Sequence, residues 1–196
     1  MDFLMYNGRT KSISGNYIYL VHPEEYKKVR GNTTLEIGVL YEPKSGDLNE
    51  LKKFNCVVIG KATNEKILRK LIEHKKVYGV TGIETDRGRE HTHYRRSNMN
   101  QVIAKMIKDN NKIYILDFKY LLNSKKRGKL IGRILQNTKF LNKYRCKTGI
   151  ATFADNRLGI RLEDNLEALG RVLGMKKLAK FEEKSNLPKG VRILEN

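Results

Sequence analysis

The stretch CVVIGKATNEKILRKLIEHKKVYGVTGI, Cys56 to Ile83, decides the fold class. Its first five residues, Cys56–Gly60, are too uniformly apolar for a strand with one wet face and read as a strand buried on both sides. Thr63 stands where a helix cap is expected. Beyond it Ile67, Leu68, Leu71 and Ile72 recur at helical spacing, while Lys66, Arg69 and Lys70 fall on the solvated side. Val77–Ile83 then reads as a second buried strand. A strand, a crossover helix and another strand pair in parallel, with the helix lying on the sheet.

The same alternation extends in both directions. Upstream, Tyr17–Val21 and Thr34–Tyr41 read as strands, and Asp47 with Glu50 resembles a capping box opening a short helix through Lys53. Downstream, Ser97 is placed to cap a helix carrying Met99, Val102, Ile103, Met106 and Ile107, and Ile113–Phe118 is the next strand. A basic turn leads to a helix with Leu130, Ile131, Ile134, Leu135 and Leu141 on one side, followed by a strand at Thr148–Phe153. Glu163 and Asp164 suit the start of a helix bearing Leu162, Leu166, Leu169 and Leu173, with Gly174 as its stop. A last helix is expected near Lys176 to Lys184, before the short run Val191 to Leu194.

Met1 to Ser14 is irregular, with Asn7, Gly8, Ser12 and Ser14 breaking any pattern. The organisation expected is a flexible arm over residues 1–16 and a single α/β barrel-like domain over 17–196. The pattern admits a (β/α) barrel or an open sheet. With 196 residues against about 250 for a full barrel, some helices must be short or missing.

Forty Lys and Arg against 21 Asp and Glu leave a net charge of +19, far beyond what solubility requires, so a polyanionic partner is expected. The charge is spread along the chain and no long apolar segment accompanies it, which favours nucleic acid over a membrane. Cys56 and Cys146 have neither CxxC spacing nor the numbers for a disulfide framework, and no signal peptide precedes them; a reducing, cytosolic location is expected.

The densest polar cluster runs from Thr85 to Asn100. Arg87, Arg89, Arg95 and Arg96 can grip phosphates bidentately, and His93, Asn98 and Asn100 can bond sugar or base edges at the start of a helix. The competing reading is a solvated loop with a few structural arginines. His91 and His93 form an HxH pair of the kind that begins a metal site in barrel hydrolases, but His22 and His74 are the only other histidines and the supporting ligands are thin. A second basic set is formed by Lys125, Lys126 and Arg127, with Lys129, Arg133, Lys139, Lys143, Arg145 and Lys147 following; any one of them could equally be an ordinary solvated cation. Lys105, Arg157 and Arg161 complete the candidate RNA contacts, and Tyr94 and Tyr144 lie among cations where bases could stack. No Walker loop, nucleophile elbow or catalytic triad is present in the sequence.

Two stretches carry a resemblance. In HTHYRRSNMNQVIAKMIKDNNKIYILDF, His91 to Phe118, the residues Arg95, Arg96, Ser97, Asn100, Ala104 and Lys105 follow the pattern of the eukaryotic and archaeal RNase P protein component 3 family. In TGIATFADNRLGIRLEDNLEALGRVLGM, Thr148 to Met175, the matching residues include Ala151, Ala154, Ile160, Arg161, Asp164, Leu169, Leu173, Gly174 and Met175. Asn98, Gly159 and Glu163 depart from it.

The resemblance implies a TIM-barrel-like fold related to metal-dependent phosphoesterase barrels but without their metal ligands. It also implies a ribonuclease P subunit that binds and orders the catalytic RNA for 5′ maturation of precursor tRNA. The chain would bind no cofactor and carry no catalytic residue, with Mg²⁺ held on the RNA. Its partners would be RNase P RNA, RNase P protein component 2 in a heterotetramer, and other RNase P proteins, with precursor tRNA met indirectly. A metal-dependent phosphoesterase and a general structured-RNA-binding protein are the alternatives.

Overall fold

The computed structural model describes residues 1–13, 15–44, 47–85 and 94–179. In chain order they form β1 (Asp2–Met5), β2 (Tyr17–Val21), α1 (Tyr26–Arg30), β3 (Ile37–Tyr41), a 3-10 turn (Asn49–Lys53), β4 (Val58–Lys61), α2 (Glu65–Glu73) and β5 (Val77–Thr81). A second 3-10 turn (Ile83–Thr85) precedes α3 (Gln101–Asp109), β6 (Ile113–Asp117), α4 (Phe118–Asn123), α5 (Arg127–Lys143), β7 (Lys147–Ala151), a third turn (Arg157–Gly159) and α6 (Glu163–Val172).

Among the described residues the sheet has seven strands in the order β1 to β7, each parallel to the next. It curls until the first strand meets the chain just past the last. Phe153 N donates to Phe3 O at 2.9 Å, and Met5 N donates to Ala154 O at 2.9 Å. The fold is therefore α/β and TIM-barrel-like, in an abbreviated form. Helix α1 has only five residues and, among the described residues, a 3-10 turn stands in place of a helix between β3 and β4 and no helix connects β1 to β2.

Two apolar layers follow from alternation along the strands. Phe3, Ile18, Leu20, Leu40, Ile59, Ile113, Ile115 and Phe153 turn inward and fill the barrel. Val39, Val58, Val80, Tyr114, Leu116 and Ile150 turn outward, against Leu68 and Leu71 of α2, Ile103 and Ile107 of α3, Ile134 and Leu141 of α5 and Leu166 of α6. The strands are buried on both faces, which is why they read as continuous apolar runs.

Several expectations need correction. Residues 2–5, assigned to a flexible arm, form β1, with Phe3 and Leu4 fully buried. Four residues are too few to show a period, and their burial comes from a strand far along the chain. Asn64, not Thr63, caps α2 by accepting from Ile67 N at 3.0 Å, and Asn100, not Ser97, caps α3 by accepting from Ile103 N at 2.9 Å. Each is an Asx alternative within three residues of the expected cap. Asp47 accepts from Asn49 N at 2.9 Å but opens a 3-10 turn rather than an α-helix. Helices α1 and α4 were not anticipated, and Leu135 is exposed rather than in the apolar stripe. Lys176–Ala179 is not helical; Leu178 forms a parallel bridge with Thr148 instead. The remainder of that expected helix, and Val191 to Leu194, lie outside the described residues. Gly174 ends α6 as expected, at φ +81°.

The barrel interior leaves no room at Gly79, where an added Cβ would lie 2.7 Å from Ile115 Cδ1 and 2.9 Å from the Ile113 carbonyl oxygen. Gly79→Val is expected to destabilise the protein by at least about 2 kcal/mol, measured by urea unfolding, because the obstructing atoms include backbone. An unchanged midpoint would mean that the interior is looser than this packing.

Candidate nucleic-acid interface

The cationic segment that follows β5 is anchored at both ends. Before it, Gly82 turns at φ +77° and Ile83–Thr85 brings Glu84 into the interior. After it, Asn98 N donates to Ile83 O at 3.1 Å, and Ser97 Oγ donates to Asn137 Oδ1 on α5 at 2.8 Å. Arg95 is held by its main chain: its N–H donates to Gln136 Oε1 at 2.8 Å and its carbonyl accepts from Gln136 Nε2 at 2.9 Å. Arg133 Nη1 donates to Glu84 O at 3.0 Å from the same helix. Helix α5 thus fixes the entry and the exit of the segment together.

Glu84 lies at the centre of this base. Its side chain is fully buried, and Oε2 accepts from Tyr114 Oη at 2.9 Å. Burial pushes its carboxyl up to about 7, more than the Tyr114 hydroxyl and Arg133 pull it down, and nearby Asp117 adds to the rise. Asn137 sits between Ser97 and Tyr114, so one polar chain runs from the surface at Ser97 into the core.

The expected contact residues separate into groups. Arg95 is exposed, with its guanidinium Nε 3.1 Å from the position a Cβ would take on Gly132; Arg96 is partly exposed beside it. Asn100 is taken up as the α3 cap, and its amide donates to Glu65 Oε1 at 3.3 Å, while Lys105 is exposed further along the helix. Asn98 is buried. Lys125 and Lys126 are exposed before α5, and Arg127 donates to the Leu121 and Leu122 carbonyls at 3.3 and 2.5 Å, closing the end of α4. Arg157 is exposed. Arg161 is spent on the Leu158 and Ile160 carbonyls at 2.7 and 2.8 Å and stacks 5.6 Å from the Phe118 ring centre. Arg87, Arg89 and His93, with His91, lie outside the described residues.

Arg95, Arg96, Asn98, Asn100, Lys125, Lys126, Arg127, Arg157 and Arg161 follow strands, so they gather at the carboxyl end of the barrel. Arg145 precedes β7 and Lys147 opens it, so both lie at the opposite end. The carboxyl mouth also holds polar groups that satisfy one another: Lys61 pairs with Glu42 at 2.8 Å, Lys119 with Asp155 at 2.7 Å, and Asp117 accepts from Tyr120 N at 2.8 Å. Among the described residues no group of three or more His, Cys, Asp and Glu side chains could hold a metal ion. A cleft of about 500 Å³ opens beside β1 and α6, with Asp2, Arg157, Arg161, Glu163 and Glu167 around it. Its charges nearly balance, and the Met1 ammonium lies 3.5 Å from Glu163.

Gln136 and Tyr114 were missed at the sequence level, since nothing local distinguishes a glutamine or tyrosine that braces a distant loop. Glu84 carried a detectable signal: an acid directly after the apolar run Val77–Ile83.

No family model matches the chain, and no curated protein matches it in sequence. One chain in a cryo-EM structure of archaeal ribonuclease P with mature tRNA matches it in structure, with a TM-score of 0.69 and 20% identity over 89% of this chain and 82% of that one. The likeness is one of fold. It spans the barrel rather than a single βα unit, and the expected TIM-barrel-like architecture is the one found. No helix among the described residues is long and apolar enough to cross a membrane.

The raised carboxyl of Glu84 gives a pH signature. Its folded value of about 7 exceeds its ordinary 4.5, so the stability it confers is complete below about 4.5 and is lost as pH rises through about 7. The full change is on the order of 3 kcal/mol. Glu84→Gln is therefore expected to flatten the loss of stability between pH 5 and pH 8 in urea titrations; parallel pH profiles for the variant and the parent would refute the assignment.

Proposed function

We propose that this chain is a protein subunit of a ribonuclease P, binding and ordering the catalytic RNA for 5′ maturation of precursor tRNA. The observation that carries this reading is the match over most of both chains to one chain of an archaeal ribonuclease P structure. The net charge of +19 and the two motif stretches from His91 and from Thr148 agree with it.

On this reading the protein neutralises and positions RNA, while the RNA and its Mg²⁺ ions cleave the phosphodiester. Arg95 and Arg96 sit where the β5–α3 connection is braced by α5, and Lys125 and Lys126 sit in the turn before α5; charge so placed gives strong, salt-sensitive and largely sequence-independent affinity. Arg87, Arg89 and His93 belong to the same proposed surface by their place in the chain. RNase P protein component 2 is the proposed protein partner, in a heterotetramer, and the cytosol the proposed location.

Reconstitution tests the assignment: adding this protein with component 2 to RNase P RNA is expected to raise precursor-tRNA cleavage, and no stimulation would sink it. Replacing Arg95 and Arg96 together by alanine should weaken RNA binding and lower the slope of log affinity against log salt by about 2, whereas Lys66→Ala should change neither. Gln136→Ala removes no charge but releases the Arg95 main chain, so affinity should fall severalfold at constant salt slope. A slope unaffected by the arginine pair would place the RNA elsewhere.

A further inference from the structure

Each αβ loop leading into β4, β5, β6 and β7 lies at the amino end of the barrel, and in-order parallel pairing makes these loops neighbours. Lys52, Lys75, Lys108, Arg145, Lys147 and Lys177 all lie there. Three of the six lie close to groups at this end, Lys52 to His74 and Lys108 and Lys177 to Cys146. His74 feels burial first and then Lys112, Lys52 and Lys76, all of which hold its pKa down. Cys146 is flanked by Lys108, Asp109 and Lys177. None of the six makes an ion pair among the described residues. The acids in these loops and the adjoining helix ends are few, notably Glu73 and Asp109.

We propose that this amino end is a second RNA-backbone surface, so that one molecule holds two RNA segments, one at each end of the barrel. The proposal rests on the ribonuclease P subunit reading above and adds a second contact face to it. Three observations support it. First, like charges outnumber the acids on loops held by further bonds: Lys112 Nζ donates to His74 O and Val77 O at 2.9 and 2.5 Å, and Lys76 Nζ to Phe54 O at 3.4 Å. Such a surface fits a polyanion.

Second, Arg145 adopts φ +53° at the end of α5. Glycine or asparagine is favoured there, so a cation occupies a position that backbone energetics would assign otherwise. Third, no large apolar side chain is exposed in the loops before β4, β5, β6 and β7, and Val172 at the close of α6 stands alone beside them, whereas a protein-binding patch would need an apolar centre of several side chains. Helix α5 fixes the separation of the two faces. It runs from Arg127 at the carboxyl end to Lys143 at the amino end, and its 17 residues span about 25 Å. A single short RNA helix lying across one end does not reach the other.

The test uses the full-length protein, a labelled RNA hairpin and a triple variant, Lys75→Gln, Lys108→Gln and Arg145→Asn. All three side chains are exposed, and asparagine tolerates the left-handed backbone at 145. Native mass spectrometry should show two hairpins on the parent protein and one on the triple variant. The weaker of the two affinities should fall about tenfold or more, with a salt slope lower by about 3. The Arg95 and Arg96 double variant should keep the amino-end site and lose the other. A parent that binds one hairpin, or a triple variant that still binds two, overturns the second face alone. Loss of polyglutamate binding with RNA binding intact would assign the face to an acidic protein. A parent that binds no hairpin at all would remove the subunit reading as well. A melting temperature near that of the parent, and Lys177→Gln as an independent variant with a smaller drop in slope, separate loss of contact from loss of fold.

Discussion

In-order parallel pairing is the constraint on which everything else in this molecule depends. Each strand can reach its parallel neighbour only by a crossover, so the chain must return along the outside of the sheet after every strand. That sorts the sequence by position. Whatever follows a strand arrives at one end of the barrel, and whatever precedes a strand arrives at the other. Strand sequences are consumed by packing on two faces, leaving the loops and the outer sides of the helices to carry chemistry.

Closing the sheet makes the interior tight. Gly38 and Gly79 have no space for a side chain, since a Cβ on Gly38 would come within 2.9 Å of Ile18 and Leu20. Where connecting helices are missing, other groups cover the sheet. Leu4 and Tyr19 on the outside of β1 and β2 pack against Ala154, with Tyr6, Tyr17 and Ile160 around them, in place of a helix. The abbreviated barrel is thus a full set of interior contacts with an incomplete outer jacket.

The polar network under the β5–α3 connection performs a different task. Glu84, Tyr114, Ser97 and Asn137 join a buried strand to the surface helix α5, and Gln136 and Arg133 tie down backbone on either side. A buried acid costs desolvation energy that a hydrophobic residue would not, so it contributes placement more than stability. These contacts hold the described end of the segment, Arg95 and Arg96, in a defined place against α5, and groups fixed in advance lose less ordering entropy in any contact they make.

Residue order alone determined the parallel α/β class, most of the strands, the helices that became α2, α3, α5 and α6, and the large excess of positive charge. Apolar periodicity and net charge are local or additive, so they survive without coordinates. Only the tertiary structure decided that Asp2–Met5 is a strand, because its burial depends on hydrogen bonds to Phe153 and Ala154 at the far end of the chain. Only the structure showed Asn98 buried, Arg161 committed to its own loop, and Arg145 with Lys147 at the end of the barrel opposite Arg95 and Arg96. Charge can be counted along a chain, but the direction it faces is set by the strand that precedes or follows it.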